Sequence, residues 1–316
     1  MTEGGEKSGD GIWERELVTK LATAALKEQR RARLWGIFFK LLTFGYVTLI
    51  LLMAIDWKGE VAGGKKHTAM VEVSGIIAPG ADASAEKITS ALQAAFKDKN
   101  TQGVVVRINS PGGSPVQAQT IYDEMKRLRQ KYPEIPLYAV VEDVCASGGY
   151  FVAAGADRIY VTRSSIVGSI GVLMNGFGFT GLMEKLGIER RLITAGENKG
   201  MLDPFSPLDE RDKEHVKTLM ADIHQQFIGV VREGRGKRLK DAPEIFSGLI
   251  WTGQKSVDLG LADGFGSLEY VAREVIKAED IRDYTISEGI AEKFARRFGA
   301  SLSSAFVESL LRSSIR

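Results

Sequence analysis

The chain of 316 residues contains one cysteine, Cys145, and three histidines, His67, His215 and His224. A single thiol excludes an internal disulfide, so cysteine usage does not assign a redox compartment. The shortage of histidine matters more, because histidine is the usual base for a serine nucleophile. The sequence also has no metal-ligand cluster and no phosphate-binding glycine loop, so neither a cofactor nor a metal is expected. Charge is nearly balanced, with 42 Lys and Arg against 40 Asp and Glu and a net charge of +2. That balance makes no case for a nucleic-acid partner. No internal repeat is evident.

Long apolar runs are also absent, with one exception. LWGIFFKLLTFGYVTLILLMAI, residues 34–55, is apolar apart from Lys40 and a few small polar residues. About 20 such residues span a bilayer as a helix, and Lys40 lies near the end where its stem reaches the headgroups. More than thirty residues precede the run and no small-residue cleavage site follows it, so it reads as an uncleaved anchor. Lys20, Lys27, Arg30, Arg31 and Arg33 precede it, against Lys58, Lys65 and Lys66 after it. This bias places the N-terminus in the cytoplasm and the bulk of the chain outside it. Ahead of the span, apolar residues at 13, 17, 18, 21 and 25 give a helical stripe over 12–26.

Beyond residue 68 strand and helix patterns alternate. Strands are expected at 70–77, 103–108, 137–141, 158–162 and 190–195, and helices at 83–96, 116–130 and 208–235. In the last helix Val216, Leu219, Ile223, Phe227 and Val231 are expected to face inward. Strands separated by helices of this length imply a largely parallel α/β sheet. At the end, AEKFARRFGASLSSAFVESLLRSSIR (291–316) spaces Phe294, Phe298, Leu302, Phe306 and Leu310 four apart among arginines. It reads as an amphipathic basic helix, packed on its own domain, on a membrane or in a subunit contact.

Chemistry concentrates at two strand ends. In INSPGGSPVQAQ (108–119) an apolar strand runs through Pro-Gly-Gly into a helix, where backbone N–H groups can face an oxyanion. In VEDVCASGGYFVA (141–153) Ser147 sits between a strand and a helix start, followed by Gly148 and Gly149. This is how a fold exposes a nucleophilic hydroxyl on a sharp turn. Both lie at the carboxyl ends of successive strands, where open α/β sheets build sites. The histidines lie in a linker or on a long helix and make poor bases for Ser147. Lysine is the alternative, since it deprotonates when desolvated. Moving its pKa from about 10.4 toward neutral pH costs about 3–4 kcal/mol, within reach of burial. Lys199, in the glycine-flanked loop TAGENKGMLDPFSP, is the candidate. Glu142 and Asp143 have no assigned role, and Cys145 reads as a buried packing residue.

The succession NSPGGS, ASGGYFVA, SSIVGSIGV (164–172), the Lys199 loop and WTGQKSVDLGLADGFG (251–266) resembles the signal peptide peptidase A, or protease IV, family in a short single-domain form. The resemblance covers about residues 68–280. It implies a crotonase/ClpP-like fold and a Ser-Lys dyad, with Ser147 as nucleophile and Lys199 as general base. Gly113 and Gly148 match the family's oxyanion-hole positions, and Ser169 matches a serine that orients the lysine. The resemblance further implies peptide substrates, notably remnant signal peptides, a place at the cytoplasmic membrane with the catalytic domain periplasmic, and a ring-like or dome-like homo-oligomer.

The expected organisation is therefore a cytoplasmic segment (1–33), an anchor in the lipid bilayer (34–56), a linker (57–67), a peptidase domain (68–290) and the C-terminal helix (291–316). Two alternatives of other classes stay open on the residues alone. One is a crotonase-like acyl-CoA enzyme with the same oxyanion hole, and the other is a catalytically silent membrane scaffold.

Overall fold

Valine and isoleucine runs bounded by turn residues dictate the centre of the molecule. The computed structural model describes residues 10–54 and 65–286, which fall in two units. The first is a single helix, α1 (Asp10–Ala54), of 45 residues. The stripe at 12–26 and the apolar run that follows are one helix, because no glycine or proline punctuates the sequence between them. Within it Leu17–Ile50 is long and apolar enough to cross a membrane, and none of its most apolar stretch is buried by protein. Trp35 stacks on Phe39 with ring centroids 5.7 Å apart.

The second unit is an α/β domain. Its elements begin with β1 (His67–Ile77), α2 (Ala85–Lys97), β2 (Thr101–Gly113), α3 (Pro115–Lys131), β3 (Leu137–Ala146) and α4 (Gly148–Ala153). They continue with β4 (Arg158–Val161), β5 (Ile166–Gly168), α5 (Thr180–Lys185) and α6 (Glu210–Arg235). Last come β6 (Ile250–Thr252), α7 (Gly253–Asp258), β7 (Gly264–Phe265), α8 (Leu268–Tyr270), which continues as a π-helical turn, and β8 (Ile281–Asp283).

The sheet runs β6-β5-β3-β2-β1-β8, with β4 paired to β3 and β7. Among the described residues only the β5–β6 pair is antiparallel. Strands β2 and β3 are buried on both faces, which is why they read as continuous apolar runs. On one face α2 sets down Ile88, Leu92 and Phe96 at helical spacing, all buried. Burying each such side chain stabilises the fold by about 1.5–3 kcal/mol. Ser114 caps α3 by accepting from Gln117 N, with Pro115 as the first helical residue. On the opposite face Met70, Val105, Val140 and Tyr160 meet Leu268 and Val271.

Three local expectations are corrected. Residues 190–195 form no strand, and Leu192 and Ile193 are exposed. They lie on a long excursion between β5 and α6, residues 169–209, whose one regular element is α5. Leu219 faces solvent, because only the C-terminal half of α6, with Phe227, Val230 and Val231, packs on the core; Val216 is buried and Ile223 is half-buried. His67 is not in a free linker: it opens β1, is 4% exposed, and its Nε2 lies 3.0 Å from the Tyr284 hydroxyl. The expected helix at 291–316 lies outside the described residues.

Candidate active site

The carboxyl ends of β2, β3 and β5 converge on one point. Ser147 turns the chain from β3 into α4 with φ 51° and ψ −122°. A non-glycine residue there is strained by about 1–3 kcal/mol and persists only where its neighbours hold it. They do so from both sides: Ser147 N donates to Gly168 O at 2.9 Å, and Ser147 O accepts from Phe151 N at 3.0 Å. Every residue of α4 is buried, and the Tyr150 hydroxyl donates to Leu261 O at 2.8 Å. The bend is thus rigid while Ser147 itself remains half-exposed.

Against this bend lies Pro-Gly-Gly at the end of β2. Gly112 has φ +103°, and a side-chain carbon there would come within 2.7 Å of both Ser147 Cβ and Gly148 N. Only glycine fits. A side chain on Gly113 would collide with the Ile77 carbonyl, and Gly113 N lies on the side of Gly148 where a Cβ would be, at 3.2 Å. Gly148 is the first residue of α4, whose opening N–H groups have no acceptor within the helix. Gly113 and Gly148 therefore lie against each other at the Ser147 bend. Sequence reasoning overlooked Ser110, which is fully buried, donates to Gly75 O at 2.6 Å and accepts from Gly112 N at 3.1 Å. A polar residue just ahead of Pro-Gly-Gly was the available signal.

Ser169 follows Gly168 at the end of β5 and also has a positive φ, 52°. Its N–H donates to Leu249 O at 2.7 Å. Ser147, Gly112, Gly113, Gly148 and Ser169 are accordingly brought together through the backbone.

Lys199 is not joined to them by a hydrogen bond within the chain. It sits in a turn of the excursion, its N–H donating to Gly196 O at 3.1 Å, and is exposed. Among the described residues, the side-chain polar atoms of Ser147, Ser169 and Lys199 have no hydrogen-bond or ion-pair partner. The excursion that carries Lys199 also exposes Leu173 (82%), Phe177 (77%) and Ile193 (95%), and Leu186 and Ile188 are exposed on it as well. Several large apolar side chains exposed on one segment suit a surface that another molecule covers.

None of the histidines is bonded to Ser147. His67 is engaged with Tyr284, His215 is exposed on α6, and His224 Nε2 lies 3.2 Å from Ile170 O. Cys145 is fully buried, and burial pushes its thiol far above the ordinary range. Glu142 pairs with Arg107 at 3.5 Å rather than with the bend. Among the described residues, no group of three or more His, Cys, Asp and Glu could hold a metal ion.

Comparison with known proteins accords with this geometry. The Clp protease family matches residues 69–170, and peptidase family S49 matches residues 129–282. A Synechocystis protein provisionally named a protease is 34% identical over 205 residues, 65% of this chain and 72% of that protein. An Enterococcus faecium protein, provisionally named signal peptide peptidase SppA, is 29% identical over 237 residues, 72% of this chain and 68% of that protein. A Brucella abortus protein named Na+/H+ antiporter NhaA is 47% identical over 183 residues. That match spans 58% of this chain but only 25% of the Brucella protein, so transport is not read across. A parallel-stranded α/β domain with a serine at a strained strand–helix bend, matched along its length in this way, is of the ClpP-like fold, and the chain belongs to the serine peptidases of family S49.

Proposed function

We propose that this chain is a membrane-anchored endopeptidase that uses Ser147 as nucleophile and Lys199 as general base. The observation that carries the reading is the Ser147 bend, strained and half-exposed, with its hydroxyl unpaired beside Gly112 and Gly113. In this reading neutral Lys199 takes the hydroxyl proton as Ser147 Oγ bonds to the substrate's carbonyl carbon. The resulting oxyanion accepts from the Gly113 and Gly148 N–H groups. Collapse of the tetrahedral species breaks the C–N bond, and the lysine ammonium gives its proton to the departing amine. Water then attacks the acyl-enzyme by the same route and frees the acid. Ser169 Oγ orients the amine.

Lysine serves as a base only when its ammonium is stripped of water. Lys199 is exposed in the single chain, so the reading needs a covering surface. The apolar side chains on its own excursion support a second copy of the chain as that cover, hence a homo-oligomer. Substrates are extended polypeptides, with remnant signal peptides the first class to test. Helix α1 serves as the anchor at the cytoplasmic membrane, residues 57–66 as the linker, and the domain works on the periplasmic side. The tail at 291–316 is assigned to the membrane face or the subunit contact.

A Lys199 that makes no hydrogen bond to Ser147 in one chain is also what a silent scaffold of the same fold would display. Hydrolysis of a signal-peptide-like substrate by wild type, Ser147→Ala and Lys199→Ala separates the two. Both variants should fall by about 10⁴-fold or more in kcat/KM. Near-wild-type turnover in either refutes the dyad. Failure of the wild-type assembly to cleave any unfolded peptide supports the scaffold. Family membership and the free serine both argue against the acyl-CoA alternative, and acylation of Ser147 by a serine-directed phosphonate would argue further for the peptidase.

A further inference from the structure

Three consecutive residues at the end of β5 are each fixed to a different part of the domain. Gly168 O accepts from Ser147 N at 2.9 Å, and Ser169 N donates to Leu249 O at 2.7 Å. Ile170 O lies 3.2 Å from His224 Nε2 on α6. The first two tethers are backbone to backbone; the third is the only one made by a side chain. Ser169 is strained, with a positive φ (52°) in a residue that has a Cβ, so the turn keeps its shape only while its ends are held. Upstream it is held by the pairing of β5 with β3 and β6. Downstream no strand or helix begins until α5 at Thr180. Beside the burial of Ile170, His224 is therefore the one side chain, among the described residues, that bonds to the turn before the chain departs into the excursion bearing Lys199.

We propose that His224 is a positioning residue for this peptidase, fixing Ser169 and, through Gly168, the Ser147 bend by donating to the Ile170 carbonyl. The inference rests on the Ser147 reading above. Helix α6 is a firm base for such a hold. Phe227, one turn beyond His224, packs on Phe151 of α4 with ring centroids 5.1 Å apart, and Ile170 is fully buried. One rigid body thus grips α4, which follows Ser147 directly, and the residue after Ser169. Both the neutral Nε2–H tautomer and the imidazolium donate at Nε2, so the hold does not depend on the ring being charged. Losing it leaves the buried Ile170 carbonyl unpaired and loosens the turn on the far side of Ser169, and small misplacements of this kind are costly in rate.

The test compares His224→Gln, which retains a donor at nearly the same reach, with His224→Met, which has its length but no donor. Both are made in the full chain, with wild type and Ser147→Ala alongside. Steady-state cleavage of an unfolded peptide and the rate constant for acylation of Ser147 by an aryl phosphonate are measured. The second readout counts only chains that label, so it reports on the folded fraction if a variant folds poorly. His224→Met is expected to lose about tenfold or more in kcat and in acylation rate while KM stays within about twofold. His224→Gln should recover to within about threefold of wild type. Wild-type rates in His224→Met, or equal losses in the Gln and Met variants, overturn the proposal. Hydrolysis that survives Ser147→Ala sinks the underlying dyad instead, and that result is read independently of either His224 variant.

Discussion

The backbone N–H of Ser147 donates to the carbonyl oxygen of Gly168 at 2.9 Å. Through that bond the nucleophile bend and the Ser169 turn are one object, and damage to the turn is felt at the hydroxyl. Gly168 has φ +116°, and a methyl there would meet Leu249 O at 2.9 Å and Trp251 Cδ1 at 3.0 Å. Gly168→Ala is expected to lower stability by about 1–3 kcal/mol and to slow peptide hydrolysis by about 10²-fold. Denaturant unfolding together with kcat/KM checks both, and unchanged hydrolysis would show that the two serines are not coupled.

Cys145, two residues before the nucleophile, is fully buried with its thiol pushed far upward by burial. Iodoacetamide should leave the native protein unmodified and active, and Cys145→Ala should keep hydrolysis within about threefold. Inactivation in step with alkylation, read by mass spectrometry, would make the thiol a rival nucleophile.

Behind the site, Arg235 is fully buried, with its Nη1 2.8 Å from Asp263, which also accepts from Ile159 N at 2.7 Å. Burial alone would raise the Asp263 carboxyl, but the Arg235 guanidinium, the Ile159 N–H and Arg238 together hold it below its ordinary value. A carboxyl lowered in the folded state contributes stability that is present above its unfolded pKa of about 4 and is lost as pH falls through the folded value. Unfolding free energy should therefore drop below about pH 4. Asp263→Asn should cost about 3–5 kcal/mol at neutral pH, by stranding a buried charge, and should flatten part of the acid slope. An identical slope in wild type and variant would contradict the assignment.

The exposed apolar residues of the excursion give a prediction about assembly. Leu173→Glu with Ile193→Glu should shift the detergent-solubilised protein to smaller species in sedimentation velocity. The same pair should abolish hydrolysis, because Lys199 would lose its cover. An unchanged assembly with unchanged activity would remove the second copy from the account.

The central strands were legible because β2 and β3 are apolar on both faces, and valine runs of that length at 103–108 and 137–141 have few other fates. Their ends were less so. β2 extends to Gly113 because Gly112 and Gly113 pair with Ile76 and Ile77 of β1, a fact of tertiary register rather than local pattern. The stretch at 190–195 has strand-like composition, but a strand needs a neighbour to bond, and none pairs with it among the described residues. Leu219 follows the helical spacing of Phe227, yet α6 runs past the edge of the core before it gets there. Ser147, the two glycines after it and Pro-Gly-Gly were readable from their turn chemistry. The clamp formed by Ser110, Gly168 and His224 was not, because each member bonds to a backbone group distant in sequence that it meets only once the sheet has formed.

The most direct measurement is the rate of acylation of Ser147 by an aryl phosphonate between pH 5 and 9, in wild type and in Lys199→Ala. If Lys199 takes the proton, the label resides on Ser147, the wild-type rate climbs with pH as the amine becomes neutral, and Lys199→Ala is slower by about 10²–10⁴-fold with that climb removed. A rate that is flat across this range and indifferent to Lys199→Ala, or a label found on another residue, would contradict the account.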